Sequence, residues 1–228
     1  MTVAEQSKHA TRSAQTRQRF IQAAQKLYAE RSIDSVSLNE ITVAAGQKNR
    51  NALQYHFGNR DGLLQAIIDQ HAGEVALLRS DYARQARQAQ WSAAEAAARI
   101  LVMPVADYID ENEEGVYYVQ ILSQLAATNS ELINPTTSSR LNFQNDDELK
   151  RQMTRALAHL SPTEAQQRLF LVVSITFHSL ADICRSSSAP DTAQALQQRA
   201  GMFDQVVGSI AALLAAAPRR SAVDQDCD

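Results

Sequence analysis

Glycine, proline and cysteine are all scarce in this chain, with 7 Gly, 5 Pro and 2 Cys in 228 residues. So few glycines, none of them clustered, leave no Gly-rich loop to cradle a phosphate. Cys184 and Cys227 stand far apart in sequence, form no metal-ligand pattern, and read as reduced thiols. The histidines (His9, His56, His71, His159 and His178) fall at no metal-ligand spacing. Asp146, Asp147 and Glu148 read as carboxylates complementing a helix dipole, not as a catalytic pair. Neither an activated nucleophile nor a metal cluster stands out, so the expectation is a protein that is not an enzyme, with no cofactor and no metal. Long hydrophobic runs are missing as well: no run of about 18 apolar residues is present to span a bilayer. The first fifteen residues also lack the apolar stretch of a secretory signal. A cytoplasmic protein with no membrane partner is expected.

What is present is a division of charge. Residues 1–60 hold nine Lys or Arg against four Asp or Glu, while residues 61–228 hold thirteen against twenty-one. A basic head on an acidic body directs only the first part of the chain toward an anionic partner.

The head also carries the sharpest local signals. Phe20, Ala23, Ala24, Leu27 and Tyr28 recur at helical spacing, with Arg17, Arg19, Gln22 and Lys26 largely on other faces. Ser37 precedes Glu40 by three residues, the spacing of a capping box, so a second helix should start at Leu38 and bury Leu38, Ile41 and Ala45. Gly46 then permits the left-handed backbone of a sharp turn. After that turn, a helix over Asn49 to Phe57 would bury Leu53 and Phe57 and leave Arg50, Asn51, Gln54 and Tyr55 outward. Arg can fork onto guanine, Asn and Gln onto adenine, and Tyr can donate to a phosphate.

This stretch, 16–68, resembles the TetR family of bacterial transcriptional regulators. The resemblance matches Gly46 to the turn glycine, Leu53 and Phe57 to core positions, and Gly58-Asn59-Arg60-Asp61 to the segment opening the fourth helix. It implies a phosphate contact for Arg60 and a capping, backbone-approaching role for Ser37. Two departures stand out: Gln54 replaces a usual Tyr, which moves that phosphate contact to Tyr55, and the stretch from Gly46 to Tyr55 is one residue longer than the commonest form. The expected contacts to double-stranded DNA are Arg17, Ser37, Lys48, Asn49, Arg50, Asn51, Gln54, Tyr55, His56 and Arg60.

Beyond the head the signals are helical throughout. Leu64, Ile67, Ile68, Val75, Leu78 and Tyr82 keep a 3.6-residue rhythm that makes a long connecting helix. Pro104 falls inside an Ala-rich helix from Trp91 to about Ile109 and should kink or interrupt it. Ser161-Pro162-Thr163-Glu164 stacks three start signals before a helix that is apolar nearly all round at Leu169 to Phe177. The expected class is all-α. A flexible arm (1–13) precedes a three-helix head with a helix-turn-helix at about 38–57 (14–70). A helical body for ligand binding and dimerisation (71–217) and a loose tail (218–228) follow.

By resemblance the body implies a homodimer and an unknown small-molecule effector. The spacing of Leu196, Ala200, Phe203, Val207, Ile210 and Leu214, beside Leu169 and Val173, suits a dimer interface or the monomer core. Met103, Tyr117, Tyr118, Phe143, Phe170, Phe177 and His178 are candidate pocket residues, although aromatics at helical spacing are more often plain core. His178 and Asp182 stand four apart as an intrahelical pair. The competing reading is an all-helical small-molecule or protein-interaction module without DNA affinity.

Overall fold

The computed structural model describes residues 3–49, 51–128, 147–186 and 192–218. Among them are nine α-helices, one 3-10 turn and no strands. They are α1 (Val3–Glu30), α2 (Leu38–Ala44), α3 (Ala52–Phe57), α4 (Arg60–Gln88), α5 (Ala93–Glu111), α6 (Gly115–Thr128), α7 (Asp147–Ala156), α8 (Pro162–Ser186) and α9 (Ala193–Ala215), with the 3-10 turn at Ile33–Ser35. Helix α1 takes in residues 3–13, where a flexible arm was expected.

Local chemistry accounts for several of these boundaries. Ser37 accepts from the Glu40 amide at 3.2 Å and the Glu40 carboxylate accepts from the Ser37 amide at 2.8 Å, the reciprocal capping box at the start of α2. Glu40 also takes the Arg31 guanidinium at 2.6 Å, and that hydrogen bond, with those from Ser37, pushes its carboxyl down to about 2. Ser161 and Glu164 repeat the box before α8. Helix α5 runs through Pro104 without interruption. Proline cannot bond the carbonyl four residues back, and that oxygen, of Ile100, instead accepts from Arg79 Nε at 3.1 Å.

The apolar residues sort into two main cores. The body core joins α5, α6, α8 and α9 through Val102, Val105, Leu122, Val172, Leu180, Phe203, Val207, Ile210 and Leu214. The head core gathers Phe20, Tyr28, Ile41, Leu53, Leu63 and Ile67, and it also takes in Ile121 and Leu125 of α6. A head closed at residue 70 is therefore incomplete, because part of its apolar filling comes from α6.

Helix α8 is long and apolar enough to cross a membrane by length and composition alone. Its face of Val172, Thr176, Leu180 and Cys184 is buried in the body, which accounts for part of that composition, while Phe170, Leu171 and Ile175 remain exposed. The stripe expected to form a dimer seam faces inward too. Phe203, Val207, Ile210 and Leu214 are all buried in their own subunit, Val173 is buried and Leu169 packs against the same core. Of the eight residues assigned to the interface, only Leu196 and Ala200 are exposed. A repeat of this kind marks a packed face and says nothing about which helix packs on it.

A buried polar chain crosses the boundary between head and body. His71 of α4 accepts at Nδ1 from the Tyr108 hydroxyl at 2.7 Å and donates from Nε2 to Gln25 Oε1 of α1 at 3.1 Å, while Asn112 Nδ2 donates to the Tyr108 oxygen at 3.0 Å. Tyr118 stacks on the imidazole with ring centroids 4.7 Å apart. A neutral ring satisfies both contacts, and burial, opposed by Glu114, pushes its pKa down from the usual 6.5 to about 4. Because the folded state disfavours the proton, the contribution of His71 to stability is whole above pH 6.5 and is lost as pH falls toward 4. The expected loss is roughly 3 kcal/mol at most. Urea unfolding at pH 7 and pH 4.5 should show this slope, and His71→Asn should flatten it.

Candidate nucleic-acid interface

The turn between α2 and α3 is built by three local devices. Gly46 sits at φ +68°, in the left-handed region that side chains rarely adopt. Asn49 Oδ1 then accepts from the Asn51 amide at 3.0 Å, and the helix begins only at Ala52. Helix α3 is thus six residues, shorter than the nine expected, because the Asn49 side chain takes the Asn51 amide that a longer helix would use. At its far end, a Cβ on Gly62 would stand 2.0 Å from the Phe57 carbonyl oxygen, so only glycine lets the first turn of α4 close against the end of α3. Asn59 caps α4 by accepting from the Gly62 amide at 2.9 Å.

Leu53 anchors α3 in the head core, at 1% exposure. Tyr55, at 79%, is among the most exposed large side chains, and Lys48, Asn49, Asn51 and Gln54 are exposed beside it in sequence. This is a short polar surface held by a buried leucine, with donors and acceptors available to a partner. Arg50 lies outside the described residues.

Four of the expected DNA contacts are occupied within the protein. His56 is half-buried, its ring 6.1 Å from those of Phe20 and Phe57, and burial first, then the Arg17 charge, lowers its pKa. It supports α3 and does not project from it. Arg17 lies over the Phe57 ring at 5.2 Å but stays exposed. The Ser37 hydroxyl is committed to the capping box. Arg60, expected on a phosphate, donates to the Ile33 carbonyl instead. The loop carbonyl is a fixed acceptor within reach, which spacing along the sequence could not reveal.

Among the described residues, the proposed pocket residues fall in different surroundings. Met103 and Phe177 pack half-buried on the body core, Tyr117 is half-buried and Tyr118 stacks on His71. Phe170 is 46% exposed and His178 is exposed, both on the outer face of α8. His178 bonds the Ser174 carbonyl at 2.9 Å and Asp182 pairs with Arg185, so the His178–Asp182 pair does not form. Phe143 lies outside the described residues. Sequence reasoning missed Gln25, His71 and Gln124, which join head to body; amides on a helix carry no periodic signal.

Comparison with known proteins places the head. Residues 20–67 match the family model described as bacterial regulatory proteins, tetR family. No curated protein matches the chain. Among solved structures, a TetR-family chain from Rhodococcus sp. is 18% identical, with 88% of this chain and 99% of that one covered and a TM-score of 0.45. A tetR-family transcriptional regulator from Streptomyces coelicolor is 19% identical, covering 98% and 95%, with a TM-score of 0.40. The TetR family repressor AlkX from Dietzia sp. is 15% identical, covering 87% and 96%, with a TM-score of 0.35. Likeness at this level adds nothing to the assignment, which rests on the capped α2, the glycine turn and the exposed α3. Over residues 20–67 the chain is therefore similar to the tetR family of bacterial regulatory proteins.

Proposed function

We propose that the protein is a homodimeric repressor that reads an inverted-repeat operator through α3 and is released by a small-molecule effector. The observation that carries the reading is the exposure of Tyr55 and Gln54 on α3, with Lys48, Asn49 and Asn51 exposed just before it, on a helix too short to stand without the head that holds it. Two heads related by a two-fold axis present two such helices to successive major grooves.

Dimerisation is assigned to the outer face of α8. Phe170, Leu171 and Ile175 are 46%, 45% and 41% exposed, and Leu196 of α9 is 48% exposed. A second copy of the same face buries this apolar surface. Release then follows if an effector binds better to a body geometry that cannot span both half-sites. The Thr176 hydroxyl supports such a ligand: it is fully buried in the body without a hydrogen-bond partner, a state that a polar ligand atom would relieve.

Selection of duplexes from genomic fragments, followed by titration at several salt concentrations, tests the reading. The expected result is enrichment of an inverted repeat, with log K falling by about 0.9 per log salt for each phosphate neutralised. Weak binding that is blind to sequence would defeat it.

A further inference from the structure

We propose that Gln124 is a positioning residue that sets the angle of the reading helix through a hydrogen-bonded relay from α6 to Arg60. The proposal rests on the DNA-binding reading above. Gln124 stands on α6 between Ile121 and Leu125, the two residues of that helix that fill the head core. Its Nε2 donates to the carbonyls of Tyr28 at 2.7 Å and Arg31 at 3.1 Å, at the end of α1 where carbonyls lack helical partners. Its Oε1 accepts from the Ile33 amide at 2.7 Å. One amide side chain thus holds three backbone groups of the segment that leaves α1.

The chain of contacts continues toward the DNA-facing surface. The Ile33 carbonyl accepts from the Arg60 guanidinium, and Arg60 is the first residue of α4, two positions after the Gly58 that ends α3. Helix α3 has only Leu53 fully buried, so its orientation depends on the elements that flank it. The relay ties both of the relevant elements, the end of α1 and the start of α4, to a helix of the body. Only an amide serves at this position. A carboxylate would face two carbonyl oxygens, and an apolar side chain would leave two acceptors and a donor without their partner. The family resemblance places a phosphate contact at Arg60; in this chain the guanidinium is turned inward and serves the relay.

The test uses the full-length protein, a palindromic duplex selected from a random pool, the same duplex with one half scrambled, and variants with the halves one base pair further apart. Gln124→Met is expected to weaken binding to the palindrome by about tenfold or more, to change binding to the scrambled duplex by less than about threefold, and to reduce the penalty for altered spacing. Arg60→Met should reproduce this pattern with an unchanged salt slope, and the double variant should be no worse than either single one. If Gln124→Met fails to fold, Gln124→Glu, which keeps the acceptor for Ile33, is read in the same way. An unchanged spacing penalty in a folded variant, or an Arg60→Met salt slope smaller by about one, would overturn the relay. Wild-type protein that binds no duplex specifically would instead remove the DNA-binding reading itself.

Discussion

Replacing Gln54 and Tyr55 together with alanine should lower affinity for the selected palindrome by roughly 30- to 1000-fold. A glutamine paired with an adenine edge contributes about 1–3 kcal/mol of discrimination, and a tyrosine hydroxyl on a phosphate adds about 1 kcal/mol. Both side chains are exposed, and Tyr55 touches only the edge of the His56 ring, at 5.1 Å. Unfolding free energy should therefore move by no more than about 0.5 kcal/mol. A mobility-shift titration beside a urea melt separates the two effects. Binding within threefold of wild type, with the fold intact, would show that α3 is not the reading helix.

The second large effect is expected at the outer face of α8. Phe170→Asp combined with Ile175→Asp places four carboxylates, two from each subunit, in the proposed interface. The half-exposed side chains they replace bury enough apolar surface on association to contribute roughly 3–6 kcal/mol across the two-fold axis. Light scattering at micromolar concentration should show a monomer with its helical circular dichroism retained, because both positions are exposed in the subunit. Duplex affinity should fall with it, since one head alone reads one half-site. Val207→Asp offers the contrast: Val207 is 2% exposed within its own subunit, so the expected outcome is loss of folding. A doubly substituted α8 that remains dimeric would place the interface elsewhere.

These two experiments bear on opposite kinds of sequence evidence. The surroundings of α3 were legible because their signals are local: a serine three residues before a glutamate, a glycine at a turn, and a leucine that must be buried among polar neighbours. Each acts within a few residues, and each reappears in the geometry at Ser37, Gly46 and Leu53. The stripe of α9 was open to two readings, dimer interface or monomer core, because its apolar rhythm shows that a face is covered without showing by what. Phe203, Val207, Ile210 and Leu214 meet α5 and its neighbours, and the less regular Phe170, Leu171 and Ile175 remain outside. The start of α3 was set too early because Asn49 can serve either as a helical residue or as a side-chain acceptor, and here it takes the Asn51 amide.

By itself, the amino-acid order determined that this protein is all-helical, that its first sixty residues are basic, and that a capped helix, a turn and a short polar helix occur there in succession. Propensity, capping and charge act over a few residues and need no tertiary knowledge. Only the folded chain decided that Arg60 spends its charge on Ile33, that His71 stays neutral between Tyr108 and Gln25, and that α6 completes the head. Those outcomes pair groups 27, 37 and more residues apart, and nothing short of the packed chain brings such partners within hydrogen-bonding range.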